Sequence, residues 1–272
     1  MGTIKKGLDS FQLKIVALAI MTIDHIAAYG MLPLPNGANA AMRMLGRAAA
    51  PLFLFLLARG LRHTRSKARY TLRLYFSGAA LQMANEITEN LFLRQGKSFQ
   101  AGNIFQTLFY VALYVSCLDM AAKQKKNIAA SAALMALPFL LVLAHIYFPG
   151  HSMFLNIWLP SPLSVEYSFL FVLLGIFWYA ANDKIISCAA LLGLSALSWL
   201  IDYRVFLGLH ESYGFTFLHM FYPMQWLMAL AALFIVLYNG EKGKTGLKYL
   251  FYAYYPLHQY LFLIVGAYLI DR

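Results

Sequence analysis

The sequence predicts an all-α fold, a polytopic transmembrane helical bundle that forms one domain over residues 1–272. Two observations predict it. Of the 272 residues, 61% are apolar and only 12% are charged, whereas about 25% are charged in an ordinary soluble domain. Too little polar surface is therefore present to coat a water-soluble globule. Several nearly continuous apolar runs also reach about 20 residues, the length that crosses the hydrocarbon layer of a bilayer.

The apolar runs, divided at charge clusters and at proline or glycine turns, predict about nine spans. These spans cover residues 11–31, 42–61, 69–87, 103–121, 128–147, 164–181, 185–201, 217–238 and 247–269. Placing the N-terminus in the cytoplasm brings most of the 22 Lys and Arg residues to the inner face, as the positive-inside rule expects. Residues 145–162 contain three prolines, so we expect a re-entrant or interfacial piece there rather than a tenth span.

Composition and motifs exclude several classes of function. The net charge of +11 is explained by membrane topology, and no aromatic RNA-binding signature accompanies it, so no nucleic acid partner is expected. Cys117 and Cys188 are isolated from each other, which gives neither a disulfide framework nor a metal or redox motif, and no metal is predicted. The sequence also lacks the P-loop, GxGxxG, HExxH and GxSxG motifs, so nucleotide hydrolysis and zinc proteolysis are poorly supported.

Ionisable side chains inside the first span carry the main functional signal, because each costs about 2.5 to 3.5 kcal/mol in hydrocarbon on insertion scales. Lys14 and His25 lie eleven residues apart, which at about 100° per residue places them on one face of a helix. Lys14 is expected near the cytoplasmic end and His25 about 16 Å further along the axis. An imidazole takes up and returns a proton at physiological pH, so His25 is the candidate general base. The alternative role is that of a hydrogen-bonded packing residue.

The charge of Asp24 also needs a partner. Neighbouring side chains on a helix diverge by about 100°, so a direct hydrogen bond between Asp24 and His25 is not expected. The leading candidate is Arg47 in the second span, where small residues such as Gly46 allow helices to approach closely. This pair either holds the geometry of a catalytic site or serves only to fix helix packing.

Polar side chains recur in the third, fourth and last predicted spans. Asn85, Glu86 and Asn103 are candidate contacts to a polar substrate, and so are Tyr255 and His258 in the proline-containing last span. A broken helix that lines a cavity is plausible at that proline. Each of these side chains is equally able to form interhelical hydrogen bonds that hold the bundle together.

Several of these residues resemble the pattern of a known family. The residues that carry the resemblance lie mainly in the first two spans, at the start of the fourth and near the end of the chain: Lys14, Ala17, Met21, Asp24, His25, Gly46, Arg47, Ala49, Pro51, Phe53, Asn103, Ile104, Thr107, Leu108, Tyr255, Pro256, Leu257 and His258. In this order they resemble the TraX family. The spacing from Lys14 to His25 is similar to the basic-x10-His pattern of the broader membrane acyltransferase group.

The resemblance implies a multi-pass acetyltransferase of the bacterial cytoplasmic membrane, with acetyl-CoA as donor and an envelope peptide, such as pilin, or a glycan as acceptor. His25 would act as general base, with Asp24 or Arg47 holding the geometry. An amide from Asn85 or Asn103 would stabilise the oxyanion. The phosphates of acetyl-CoA would bind basic residues on or near the inner face: Lys14, Arg62, Arg65 and Lys67. The basic inner loop has a second explanation, which is topology alone.

Two other classes of function remain open from the sequence. A proton-coupled transporter or exporter would use Asp24, His25 and Glu86 as relay groups, together with His258. A b-type haem protein would need two histidines at matching depth on facing helices, chosen from His25, His219 and His258. A Soret band would support the haem protein, and substrate-dependent pH change without thioester cleavage would support the transporter.

Overall fold

The structure, a computed structural model, describes residues 7–93, 101–147, 152–163, 165–206, 224–244 and 248–270. Over these residues the regular structure is entirely helical, apart from an isolated bridge between Leu8 and Tyr238. The all-α prediction is therefore confirmed. The helices are, in chain order, α1 Ser10–Ala28, α2 Asn36–Gly46, α3 Ala49–His63, α4 Lys67–Leu93, α5 Ile104–Lys123, α6 Ile128–Tyr147, α7 Ser152–Trp158, α8 Ser168–Ala181, α9 Lys184–Phe206, α10 Ala231–Val236 and α11 Lys248–Ile270, with 3₁₀ helices at Lys125–Asn127 and Gln225–Leu230.

Several helices are suited to a membrane. Among the described residues, four helical segments are long and apolar enough to cross a bilayer: Ser10–Ala28, Asn36–His63, Ile104–Lys123 and Lys184–Asp202. Large apolar side chains such as Phe76, Leu140 and Leu257 are more than half exposed, which is unfavourable in water and favourable against lipid tails. The class of membrane-associated helical protein is supported. The number of nine spans and the cytoplasmic N-terminus stay predictions.

The predicted spans and the helices agree in position, with two differences. The predicted second span is two helices, because α2 ends at Gly46 and α3 begins at Ala49. Pro51 lies in the first turn of α3 and has no N–H to continue a helix from the preceding turn. The predicted span 217–238 is described only from residue 224, where a 3₁₀ helix leads into α10.

The segment predicted to be re-entrant contains a short helix. With seven residues, α7 rises about 10 Å, which is one third of the hydrocarbon thickness. The side chain of Tyr75 donates a hydrogen bond to the carbonyl of Trp158 at 2.7 Å, so the end of α7 is attached to α4. Residues 148–151 lie outside the described part of the chain. The described part of this segment is thus too short to form a tenth span.

The described chain divides into two compact units. The described residues within Met1–Leu56, Ala181–Gly214 and Tyr222–Arg272 form the terminal unit, and those within Leu57–Ala180 form the central unit. In the terminal unit α1 packs against α2 and α11, and in the central unit α4 and α6 pack against α5. Large aromatic side chains fill the core of the central unit: Tyr110, Tyr114, Phe171 and Trp178. The prediction of one domain over the whole chain stays a prediction.

Helix α1 has a capped N-terminus and a buried face. Asp9 caps its N-terminus, because its carboxylate accepts a hydrogen bond from the Gln12 N–H at 2.8 Å and the Gln12 side chain accepts one from the Asp9 N–H at 3.0 Å. This reciprocal capping satisfies two donors that a helix end leaves unpaired. Leu13 and Ala17 are fully buried one turn apart. Leu13 and Ala17 therefore mark a buried face of α1.

Gly46, the last residue of α2, lies directly against Asp24 of α1. A methyl group at Gly46 would overlap the Asp24 carboxylate, so we expect Gly46→Ala to lower the free energy of unfolding by about 1–3 kcal/mol through overpacking. Gly37 is the matched control, because it lies on the same helix with no atom within 4 Å of the added carbon. Gly37→Ala should be neutral or slightly stabilising. Thermal unfolding of both variants in nanodiscs tests this, and equal melting temperatures would contradict it.

Candidate functional site

Two histidines from opposite ends of the chain meet inside the terminal unit. The Nδ1 atom of His25 on α1 lies 2.5 Å from the Nε2 atom of His258 on α11. The two rings lie side by side, with centroids 4.7 Å apart and planes 7° from parallel. His258 is buried. The general base predicted from the sequence is therefore paired with a residue predicted only as a substrate contact.

Aromatic rings surround the histidine pair. Tyr254 stacks on the His258 ring at 4.9 Å, and the edge of Phe262 meets the same ring at 5.6 Å. Tyr29 meets the His25 ring edge-on at 5.5 Å. The predicted substrate residue Tyr255 lies 6.4 Å from the His25 ring and is itself buried. These rings limit access of water to the imidazoles, so an acid–base group here works in a medium of low dielectric constant.

The partner of Asp24 is an arginine of α2. Arg43 Nη1 lies 2.6 Å from an Asp24 carboxylate oxygen, whereas the sequence predicts Arg47 as the partner of Asp24. Arg47 is one turn further along the chain, is buried, and adds a second positive charge that acts on Asp24. Arg43 and Arg47 share a helix face because they are four residues apart. That spacing was the signal by which Arg43 could have been found.

The distance between the Asp24 and His25 side chains agrees with the prediction that they form no direct hydrogen bond. Their closest approach, from His25 Nε2 to Asp24 Oδ2, is 3.9 Å, which is too long for a hydrogen bond. It is short enough for the carboxylate to stabilise a positive charge on the imidazole. The carboxylate therefore lies beside the imidazole while it stays bound to Arg43.

Lys14 shares a helix face with His25, as predicted from their spacing. The Lys14 ammonium lies 5.5 Å from the centroid of the Phe251 ring, and His25 contacts His258. Both of these partners are on α11, seven residues apart. Between them, the Thr22 hydroxyl and the Tyr254 hydroxyl are 2.6 Å apart. The face of α1 that carries Lys14 and His25 is therefore the face that packs against α11.

The predicted substrate residues of the central unit form hydrogen bonds with other residues of the same unit. Asn103 donates from its amide to the Gly78 carbonyl at 2.9 Å and to the Gln82 side chain at 3.2 Å. Gln82 donates in turn to the Glu86 carboxylate at 3.1 Å, and Asn85 donates to the Ala101 carbonyl at 3.3 Å. These contacts join α4 to the start of α5, which is the structural alternative considered above. A role in binding substrate stays a prediction for Asn85, Glu86 and Asn103.

The basic residues of the central unit differ in how they are engaged. Lys67 forms an ion pair with Asp119 and donates a hydrogen bond to the Tyr179 hydroxyl at 2.6 Å. Burial tends to lower the pKa of Lys67, but the hydrogen bonds to Asp119 and Tyr179 outweigh it and hold the pKa above its ordinary value. Arg62 stacks over the Tyr179 ring at 5.0 Å and is exposed, as is Arg65. Arg62 and Arg65 are thus more accessible to an anionic ligand than Lys67.

The histidine geometry bears on the haem hypothesis. Two axial ligands bind iron from opposite faces of the porphyrin, whereas the His25 and His258 rings lie side by side with their nitrogens in hydrogen-bond contact. This arrangement leaves no room for a porphyrin between them. His219 lies outside the described residues. Within the described part of the chain, no group of three or more His, Cys, Asp or Glu side chains is placed to hold a metal ion.

The fold and the site define the class of protein, a membrane-associated helical protein with a part-buried histidine pair and an adjacent carboxylate–arginine pair. The chain belongs to the TraX family, since the sequence profile described as TraX protein matches residues 10–266. The resemblance noted from the sequence is confirmed. The chain is also 29% identical over 259 residues, 92% of each chain, to the probable fimbrial assembly protein FimC, serogroup H1, of Dichelobacter nodosus. No solved structure matches.

Proposed function

We propose that this protein is a membrane-embedded acetyltransferase that moves an acetyl group from cytoplasmic acetyl-CoA to an amine or hydroxyl of an envelope acceptor. The observation that carries the proposal is the contact between His25 and the buried His258. An ionisable pair inside a membrane protein is costly and calls for a functional reason. The relative named as a fimbrial assembly protein favours a pilin-like peptide as the acceptor over a glycan.

The chemistry needs one group that first takes and then returns a proton. The acceptor nitrogen or oxygen attacks the thioester carbonyl carbon while His25 removes its proton. The carbon–sulfur bond then breaks, and the CoA thiolate takes the proton back from the imidazolium. The products are the acetylated acceptor and CoA. Asp24, 3.9 Å from His25 Nε2, stabilises the intermediate imidazolium, and Arg43 keeps the carboxylate in place.

The proposed topology places donor and acceptor on opposite sides of the bacterial cytoplasmic membrane. With about nine spans and a cytoplasmic N-terminus, Lys14 lies toward the inner face and His25 in the outer half. Acetyl-CoA is cytoplasmic, so its phosphates bind at the inner face and its thioester reaches toward His25. The basic residues proposed to bind the phosphates are Lys14, Arg62, Arg65 and Lys67, with the exposed arginines contributing most.

Neutralising two exposed arginines tests donor binding. We expect Arg62→Gln combined with Arg65→Gln to weaken acetyl-CoA binding by about tenfold or more, because each charge-assisted hydrogen bond contributes about 1.5–3 kcal/mol. The matched control is Lys125→Gln combined with Lys126→Gln, which removes the same charge from another exposed basic segment of the central unit. Calorimetric titration measures the affinity. Unchanged binding in the arginine variant would leave these residues with a role in topology only.

The decisive experiment is transfer of labelled acetyl groups. The purified protein in nanodiscs is incubated with radiolabelled acetyl-CoA and membrane extract, and the labelled product is identified by mass spectrometry. We expect stoichiometric release of CoA and one class of acetylated envelope product. If CoA is not released and substrate instead drives a pH change in proteoliposomes, the protein is a proton-coupled transporter and the proposal fails.

A further inference from the structure

The hydrogen bonds of His258 determine which of its ring nitrogens carries a proton. His258 Nδ1 lies 2.7 Å from the main-chain carbonyl oxygen of Tyr254, one helical turn earlier on α11. A carbonyl oxygen can only accept, so His258 Nδ1 carries the hydrogen and donates it. In the neutral ring the other nitrogen, Nε2, then has a free lone pair and accepts.

The proton position on the His258 ring determines the proton position on the His25 ring. His258 Nε2 faces His25 Nδ1 at 2.5 Å, and two lone pairs cannot form a hydrogen bond. His25 Nδ1 therefore carries a hydrogen and donates it to His258. A neutral imidazole has one hydrogen on its two nitrogens, so His25 Nε2 is unprotonated. The nitrogen left with a free lone pair is the one nearest the Asp24 carboxylate.

We propose that His258 is a positioning residue, which holds His25 in the tautomer whose Nε2 accepts the acceptor's proton. This inference rests on the proposed function, in which His25 is the general base. Both His258 ring nitrogens are engaged, one with Tyr254 and the other with His25. His258 therefore has no ring nitrogen left for a substrate, in contrast to the substrate-contact role predicted from the sequence.

The packing of His258 suits this role. Its ring lies between the stacked Tyr254 ring at 4.9 Å and the edge of Phe262 at 5.6 Å. Tyr254, His258 and Phe262 are spaced four residues apart, so one face of α11 fixes the orientation of the ring. The Tyr254 carbonyl belongs to the same helix and cannot move independently of it. His25 thus receives a rigid acceptor, and its Nε2 is available as a base in every catalytic cycle.

The tautomer can be read without any enzyme assay. In protein labelled with ¹⁵N in its imidazole rings and held in nanodiscs, His25 is identified by the signals that His25→Asn removes. We expect an unprotonated, pyridine-type Nε2 and a protonated, pyrrole-type Nδ1 for His25. Substituting His258→Phe keeps a ring of similar size and removes the acceptor, so the His25 hydrogen should move in nearly all of the molecules to Nε2, the nitrogen that faces the Asp24 carboxylate. A protonated His25 Nε2 in the unsubstituted protein overturns the inference.

Kinetics supply the second readout. We expect His258→Phe to lower kcat by about 10²-fold or more with KM within about twofold, because an incorrect tautomer stops general-base catalysis while substrate still binds. His258→Gln, whose amide oxygen can accept from His25 Nδ1, should recover at least tenfold of that loss. Equal rates for the Phe and Gln variants would overturn the positioning role.

Failure of this inference and failure of the proposed function give different results. A wild-type protein that has the expected His25 tautomer but transfers no acetyl group contradicts the acetyltransferase and not the tautomer. A wild-type protein that transfers acetyl groups with a protonated His25 Nε2 contradicts the role of His258 and not the function. His63→Phe, on the exposed side of α3, is the control for both measurements and should change neither.

Discussion

Purified His25→Ala is expected to transfer acetyl groups about 10²- to 10⁴-fold more slowly than wild type. The imidazole is the proton acceptor in the proposed reaction. Asp24, whose carboxylate lies 3.9 Å from its Nε2, is held by Arg43 and is not placed to replace it. The measurement is single-turnover CoA release with saturating acetyl-CoA. Binding of acetyl-CoA should stay within about twofold, because His25 contacts the reacting groups and not the phosphates.

His63→Ala is the matched control for this experiment, since it removes another imidazole from an exposed position on α3. Its rate should equal that of wild type. Circular dichroism and thermal unfolding establish that His25→Ala still folds, and added imidazole should restore part of its activity by entering the space left by the side chain. A wild-type rate in folded His25→Ala would refute the assignment of the base.

Much of the fold could be predicted because each apolar run in the sequence of a membrane protein extends over a whole helix. The boundaries of α1, α5 and α9 follow from charges and turns that end apolar runs, so each agrees with its predicted span to within a few residues, except for the C-terminal end of α9. The interruption between α2 and α3 was missed because Arg47 and Ala48 lie within a mostly apolar stretch. Pro51 was the available signal, since proline favours the first turn of a helix.

The candidate site was only partly predictable for a different reason. The shared face of Lys14 and His25 follows from helical periodicity within a single segment. The contact between His25 and His258 joins residues 233 positions apart, and no local pattern specifies which helices pack together. The same limit explains Arg43 and Arg47, which occupy the same helix face, so only the packing of α2 on α1 decides which one reaches Asp24.

Residue type alone could not separate binding from packing in the central unit. An asparagine in a membrane helix needs hydrogen-bond partners, and a ligand or a neighbouring helix can supply them equally well. Asn103 finds its partners in Gly78 and Gln82 of α4. Asn103 pairs with the helix that precedes it in sequence, because the connection between α4 and α5 is short.

The ion pair between Asp24 and Arg43 is expected to have the largest effect on stability. Asp24→Asn keeps the shape of the side chain and removes its charge, which leaves Arg43 and Arg47 near each other without a carboxylate. Breaking a buried pair by removing one partner costs about 3–5 kcal/mol. This pair is only partly buried, with 12% of the Asp24 side chain and 29% of the Arg43 side chain exposed, so we expect a smaller loss of about 2–3 kcal/mol in the free energy of unfolding. Asp119→Asn is the control, because its carboxylate is more exposed than that of Asp24, 29% against 12%, and should contribute about 1 kcal/mol or less.

A double-mutant cycle separates the pair from the other effects of each substitution. The four proteins are wild type, Asp24→Asn, Arg43→Gln and the double variant, each unfolded by denaturant titration in mixed micelles. Because the second substitution removes the charge that the first one leaves unpaired, the double variant should lose less stability than the two single losses added together, with a coupling energy of about 1–3 kcal/mol. Additive losses would show that groups other than Arg43 hold Asp24. Arg47 would then be the first of these groups to substitute in a second cycle.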